Sequence, residues 1–418
     1  MADLERRKGF YGDRERESPV MRAERQWVLL EKLIRRAYEG SAEFKSRLAG
    51  IGAKPGDIRS IEDFRRLPVL PKKDLLARQC SGPGLGGMLT TEPGRLGRIY
   101  QSPGPIYDPE GRGPDYWGWA EAFFAAGFRQ GDVVQNTFSY HLTPAGLMLE
   151  EPLRAIGCAV IPAGPGNTEK QIELMTDLPV TGFVGMASYL RVIADKAAEK
   201  GLDLWKDFSL ECAFVAAERL SESMRSELES DFGMLIRQGY GTADVGCIAY
   251  ECLELGGMHL TSRGLVEILD PVSREPMSAG EIGEVVFTPF SEEYPLIRFA
   301  TGDLSFVVDS ECPCGRTSPK LGGIQGRVDD TAKVKGQFIY PSQAAEVLER
   351  FPAVTAWRLV VDNPGGRDRL RLLVDAREGL DEKALVRGFQ EACKLRPLVE
   401  RVEGLEEGPR LRDEREFD

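Results

Sequence analysis

Short apolar runs alternate with longer charged stretches through the middle of this chain. The runs lie at 133–138, 158–162, 182–186, 212–216 and 234–238, and the stretch 144–156 between the first two has helical character. Each run is strand-sized, and strands separated by helix-length segments pair in parallel. The spacing therefore predicts a mostly parallel α/β sheet. An aromatic-rich helix at 116–128 precedes it, and a packing helix is expected within 21–48, where Trp27, Leu30, Ile34 and Tyr38 recur at helical spacing. Ligands of such sheets sit beyond the carboxyl ends of the strands. Those ends carry Tyr140-His141, a glycine-rich turn at 164–169, Ala216-Ala217-Glu218-Arg219, and Gly239-Tyr240-Gly241-Thr242-Ala243-Asp244.

Composition bounds the function. The 418 residues are 42% hydrophobic and 29% charged, which supports two or three cores. No apolar run reaches the ~18 residues of a membrane span. The opening MADLERRKGFYGDRERESP lacks the apolar segment of a secretory leader, so a cytoplasmic protein without a membrane partner is expected. A net charge of −12 argues against a general nucleic-acid binder, although local cations can still hold a small anion. Eight cysteines without a leader read as thiols or metal ligands rather than a disulfide frame.

The stretch 298–348 is the richest in chemistry. Arg298 and Thr301-Gly302-Asp303 come first, then Cys312-Pro313-Cys314-Gly315, Gly326-Arg327-Val328-Asp329-Asp330, and Lys333-Val334-Lys335-Gly336-Gln337. The series suits a nucleotide site at the join of two domains. Asp303 can accept hydrogen bonds from ribose hydroxyls, and the planar fork of Arg327 suits phosphate or ribose. Asp329, on a short connector, can absorb a rotation between domains. Cys252 and His259 join Cys312 and Cys314 as three thiols and one imidazole, a tetrahedral zinc set. Four protein ligands leave no open position, so the zinc would be a structural clamp. Cys247 is a substitute ligand, and Cys80, Cys158, Cys212 and Cys393 read as small apolar residues.

In this order and spacing, the stretch from Arg298 to Leu348 resembles the phenylacetate–CoA ligase family of the adenylate-forming superfamily, and the likeness extends over nearly the whole chain. The resemblance implies a large adenylate-binding α/β domain at 1–328, with a small β-rich, zinc-bound subdomain at about 247–320. A small mobile α+β domain would follow at 329–418. It implies that Tyr240 stacks on adenine beside Gly241, Ala217 and Glu218, that Thr242 contacts the α-phosphate, and that Asp244 ligates Mg²⁺. Ser102 and Gly104 take positions of the family's phosphate loop, and Lys335 and Gly336 those lining the tunnel for coenzyme A. Thr242, Asp244, Arg327 and Asp329 would be the catalytic residues. Phe138, Tyr140, His141, Ala216 and Gly239 would line an acyl pocket. The implied cofactors are ATP/AMP, Mg²⁺, CoA and structural Zn²⁺; the implied partners are a carboxylic acid and CoA, and the implied assembly is a homodimer.

The sequence departs from the family twice. The family's phosphate loop is rich in Ser, Thr and Gly and ends in lysine, whereas this chain reads Ser102-Pro103-Gly104-Pro105-Ile106-Tyr107-Asp108. Proline removes backbone donors, and aspartate repels a triphosphate. The family's C-terminal lysine is also missing, since no lysine follows Lys394 and Pro409 falls near its place. Two functions follow. One is an AMP-forming aryl or small-acyl carboxylate–CoA ligase with an altered ATP grip. The other is a non-adenylating relative that binds acyl-AMP or acyl-CoA, or acts as a partner subunit.

Overall fold

The computed structural model describes residues 6, 8–102, 105–328, 332–334, 337–364, 369–406 and 408–415. Its centre is a nine-stranded sheet. The strands Ala159–Pro162, Val133–Asn136, Gly182–Gly185, Cys212–Val215 and Leu235–Thr242 lie side by side, all parallel. These are the short apolar runs of the sequence, and the helices between them cover the sheet. Beyond Leu235–Thr242 the sheet turns antiparallel through Gly246–Tyr250, Met258–Leu260, Lys320–Leu321 and Val307–Val308. The expected mostly parallel sheet is thus a mixed one.

A second sheet packs nearby. It holds Gly264–Leu269, Gly283–Pro289, Phe299–Ser305 and the two-residue strands Leu70–Pro71 and Gly326–Arg327. Residues 247–320 therefore divide between two sheets. The strand Gly283–Pro289 is buried along its whole length, and its Val285 and Phe287 share a core with Leu70, Ile248, Ala249 and Phe299. A separate apolar core lies wholly within 332–411. It is built from the four-stranded sheet Leu398–Arg401, Arg369–Ala376, Val354–Asp362 and Leu411–Asp413, with the helices Pro341–Leu348 and Glu382–Cys393.

Two helix boundaries differ from expectation. The segment 21–48 forms two helices, Pro19–Gly40 and Ala42–Gly50, because the Ser41 hydroxyl accepts the Phe44 N–H and starts a new helix. The aromatic helix expected at 116–128 is only Ala120–Ala125. Asp115 accepts the N–H groups of Trp119 and Ala120, which fixes the start. Gly118 and Gly127, both at positive φ, bound it on either side.

Candidate active site

The parallel strands deliver their loops to one edge of the nine-stranded sheet, where Gly239–Asp244 meets the second sheet. Tyr240 reaches across: its hydroxyl donates to Asp303 Oδ2 at 2.8 Å and lies 3.1 Å from Thr301 Oγ1. Burial, and then the charge of Asp303, push the Tyr240 hydroxyl pKa up. Arg327 donates to the other oxygen of Asp303 at 3.0 Å. The antiparallel register makes Asp303 and Arg327 direct cross-strand partners, so sheet pairing itself sets this ion pair. Gly302, at φ +81°, keeps the way clear, since a Cβ there would meet Arg327 Nη2 at 2.9 Å.

Beside this pair is a cavity of about 300 Å³ lined by Lys72, Lys73, Arg274, Arg327, Gly302 and Ile106 among others. Its acid, Glu284, is paired with Arg274. Three of the four cations at this pocket already face a carboxylate, Arg274 with Glu284, Arg327 with Asp303 and Lys72 with Asp244, so an anion held here would share those pairs. Lys72 also donates to the buried Asp244 at 2.7 Å. The other Asp244 oxygen and the Thr242 hydroxyl have no protein hydrogen-bond partner. Unpaired oxygen donors of this kind fit a hard divalent cation such as Mg²⁺.

The loop after the strand Arg98–Gln101 closes a hairpin with Tyr107–Glu110, and the Ser102 N–H donates to the Ile106 carbonyl at 2.9 Å. Gly104 lies outside the described residues, as do Asp329, Lys335 and Gly336. Asp108, at the far side of the hairpin, is fully buried, and neither carboxylate oxygen has a hydrogen-bond partner within normal geometry. Burial first, and the charge of Asp244 second, push its pKa up to about 7.

The other expected residues are placed as follows. Ala217 sits at φ +70°, a strained conformation for a residue with a Cβ. Glu218 accepts the N–H and hydroxyl of Ser188 at 2.5 and 2.9 Å, capping the helix Ala187–Glu199. Arg298 is nearly fully buried at φ +55°, binding Glu267 and the carbonyls of Arg65 and Leu67. The phenol oxygen of Tyr140 accepts from Asn136 at 2.8 Å, while His141 is exposed. Phe138 and Ala216 are half-buried against the core that holds Trp119 and Phe214, and Gly239 abuts those same two rings.

The four zinc candidates converge. The donor atoms of Cys252, His259, Cys312 and Cys314 all lie within 4.8 Å of one another. Cys252 Sγ is 3.6 Å from Cys312 Sγ, and Cys314 Sγ is 3.4 Å from His259 Nε2. Hydrogen bonding from Cys252, and then from His259, holds Cys314 far below the ordinary thiol range. His259 Nδ1 faces the Ser318 carbonyl at 3.3 Å, which favours a proton on Nδ1 and leaves Nε2 as the ligand atom. The donor set fits zinc.

Sequence reasoning missed Lys72 and Asp108 as site residues. The signal for Lys72 was indirect: with lysine absent from both usual places, any lysine near the phosphates had to come from elsewhere. Asp108 was read as a repulsive loop charge rather than as a buried group.

The architecture is that of the adenylate-forming CoA ligases. A 2-hydroxyisobutyryl-CoA ligase crystallised in an open conformation superimposes with a TM-score of 0.87 at 23% identity, over 96% of this chain and 93% of that one. No family model matches the chain. Curated relatives do. The phenylacetate-coenzyme A ligase of Thermus thermophilus is 31% identical over 84% of this chain and 80% of its own length. That of Aromatoleum evansii is 29% identical over 87% and 84%. The chain belongs to the phenylacetate–coenzyme A ligase family.

Proposed function

We propose that this protein is an AMP-forming acid–CoA ligase. An acid carboxylate attacks the α-phosphorus of ATP and expels pyrophosphate. The CoA thiol then attacks the acyl carbon of the adenylate, releasing AMP and leaving the thioester. The observation that carries the reading is the Tyr240–Asp303–Arg327 constellation beside a cation-lined cavity, with Thr242 and Asp244 close by along the same strand and turn. It supplies a carboxylate for the ribose diol, a cation beside it, and an aromatic ring on the adenine side.

Each residue has a role within that reading. Asp303 accepts the ribose hydroxyls, with Arg327 holding it in place. Thr242 donates to the α-phosphate. Asp244 would hold Mg²⁺, which supplies charge neutralisation at the phosphates. Lys72 pairs with Asp244 meanwhile. Catalysis here is positioning and charge compensation. Asp329, Lys335 and Gly336 keep their proposed places at the hinge and the CoA tunnel, with the domain boundary at 328/329. Zinc held by Cys252, His259, Cys312 and Cys314 would clamp the knuckle to the edge of the nine-stranded sheet. Glu15, paired with Arg316 at 2.5 Å, ties the N-terminal segment to the same place.

We also propose a cytoplasmic homodimer that binds no nucleic acid. The eight free thiols and the net charge of −12 support the location and the lack of nucleic-acid binding. Among the described residues no helix is long and apolar enough to cross a membrane. The homodimer rests on the family resemblance.

A second reading, a family member that binds adenylates or acyl-CoA without forming them, is favoured by one observation. The buried Asp108 stands beside the loop that would grip the triphosphate. Incubation with ATP, CoA and a panel of acids, followed by mass spectrometry for acyl-CoA, separates the two. A thioester that depends on ATP supports the ligase. Its absence with every acid, together with measurable AMP binding, supports the second reading.

A further inference from the structure

One cation of the cavity beside Asp303 differs from the rest. The strand Leu70–Pro71 runs parallel to Phe299–Ser305, with Leu70 opposite Phe299 and Pro71 opposite Ala300. The next two residues, Lys72 and Lys73, therefore arrive alongside Gly302, and both line the cavity of about 300 Å³. Lys72 is paired with Asp244, Arg327 with Asp303 and Arg274 with Glu284. Lys73 is half-buried and has no acid partner among the described residues. A cation already bound to a carboxylate must share or release it before serving another anion, whereas an unpaired cation does neither.

The altered phosphate loop reaches this same cavity. Ile106, just before the hairpin strand Tyr107–Glu110, lines it. The Ser102 N–H is occupied by the Ile106 carbonyl at 2.9 Å. Asp108 is fully buried and lies outside the lining. Residues 102–108 contain no lysine or arginine, so the loop brings an apolar side chain to the cavity and no cation. The positive charge comes instead from the segment after Pro71. Lys72 joins the two places, because it lines the cavity while its ammonium lies 2.7 Å from Asp244 Oδ2. A triphosphate whose α-phosphorus lies at Thr242 and Asp244 can extend past Lys72 to Lys73.

We propose that Lys73 binds the β- and γ-phosphates of ATP in this cavity and supplies the charge that the altered phosphate loop lacks. The inference rests on the nucleotide placement of the ligase reading above and deepens it. In that placement Tyr240, Thr242 and Asp303 hold the AMP half of the nucleotide, and none of them needs Lys73. Lys73 acts on the half that leaves as pyrophosphate, where its ammonium offsets the negative charge of the phosphate oxygens. AMP lacks those phosphates and is indifferent to Lys73.

The test is calorimetric binding of ATP and of AMP to the full-length protein, each with Mg²⁺ and without acid or CoA. Wild type is expected to bind both. Lys73→Met, checked for folding by thermal melting, is expected to bind ATP roughly 10–100-fold more weakly, the worth of a hydrogen bond to a charged group, and AMP as wild type does. Lys73→Arg keeps the charge and is expected to regain most of the ATP affinity. Equal loss of ATP and AMP affinity in Lys73→Met, or no loss of either, overturns the inference. Thioester formation by wild type alongside ATP affinity that ignores Lys73 overturns the inference alone. ATP binding that depends on Lys73, without thioester from any acid, overturns the ligase reading alone. Wild type that binds AMP but not ATP overturns both.

Discussion

Tyr240 donates its hydroxyl proton to Asp303 at 2.8 Å, across the join between the nine-stranded sheet and its smaller neighbour. Arg327 holds the opposite oxygen of the same carboxylate. Each oxygen keeps a further lone pair, so a ribose diol can be accepted without breaking either bond. Asp303→Asn keeps the shape and removes the charge. AMP affinity, measured by calorimetry, is expected to fall roughly 10–100-fold, the worth of hydrogen bonds to a charged acceptor. Unchanged affinity would place the nucleotide elsewhere.

The cysteine and histidine cluster predicts metal content. Protein purified without chelator is expected to carry zinc at one ion per chain by elemental analysis. Cys312→Ser is expected to lose most of that zinc and to melt at lower temperature, because metal binding contributes to folding stability. Metal-free protein whose melting temperature ignores added zinc would contradict the assignment.

Asp108 predicts a dependence on pH. An ordinary aspartate titrates near ~3.9, and burial together with Asp244 raises this one to about 7. Between those values the unfolded chain has released the proton while the folded chain keeps it. The unfolded state binds fewer protons there, so stability falls as pH rises, and the loss is complete above pH ~7. Three pH units correspond to an upper figure of roughly 4 kcal/mol. Asp108→Asn removes this slope. The variant is expected to gain more stability over wild type at pH 8 than at pH 5 in denaturant titrations. Equal differences at both pH values would show that Asp108 has an ordinary pKa.

Arg298 predicts a folding defect. It and Glu267 are buried together, with Nε to Oε2 at 3.0 Å. Arg298→Met leaves the buried Glu267 with only the half-exposed Arg65, its Nε 3.9 Å away, which costs up to about 3–5 kcal/mol. Chemical denaturation reads this directly. A change below 1 kcal/mol would mean that water reaches Glu267.

The parallel strands were legible because each is a short apolar run bounded by turns, and backbone pairing does the rest. Asp303, Arg327 and Tyr240 were legible as a motif, and so was the grouping of Cys252, His259, Cys312 and Cys314, because their order in the chain carries the signal. The contact of Lys72 with Asp244 was not. It joins residues 172 positions apart, and no local pattern encodes that meeting. The burial of Asp108 was hidden for the same reason: a charged residue in a proline-rich loop reads as exposed until the hairpin and the Gly239–Asp244 loop are packed together. Trp119 read as part of a helix, yet it precedes the first turn because Asp115 caps the chain there.

The most direct test of the account is isotope exchange between pyrophosphate and ATP, measured with each acid of the panel and without CoA. The ligase reading predicts exchange that requires an acid and Mg²⁺ and that falls sharply in Asp303→Asn. No exchange with any acid, from protein that binds AMP and CoA, would contradict adenylate formation by this chain.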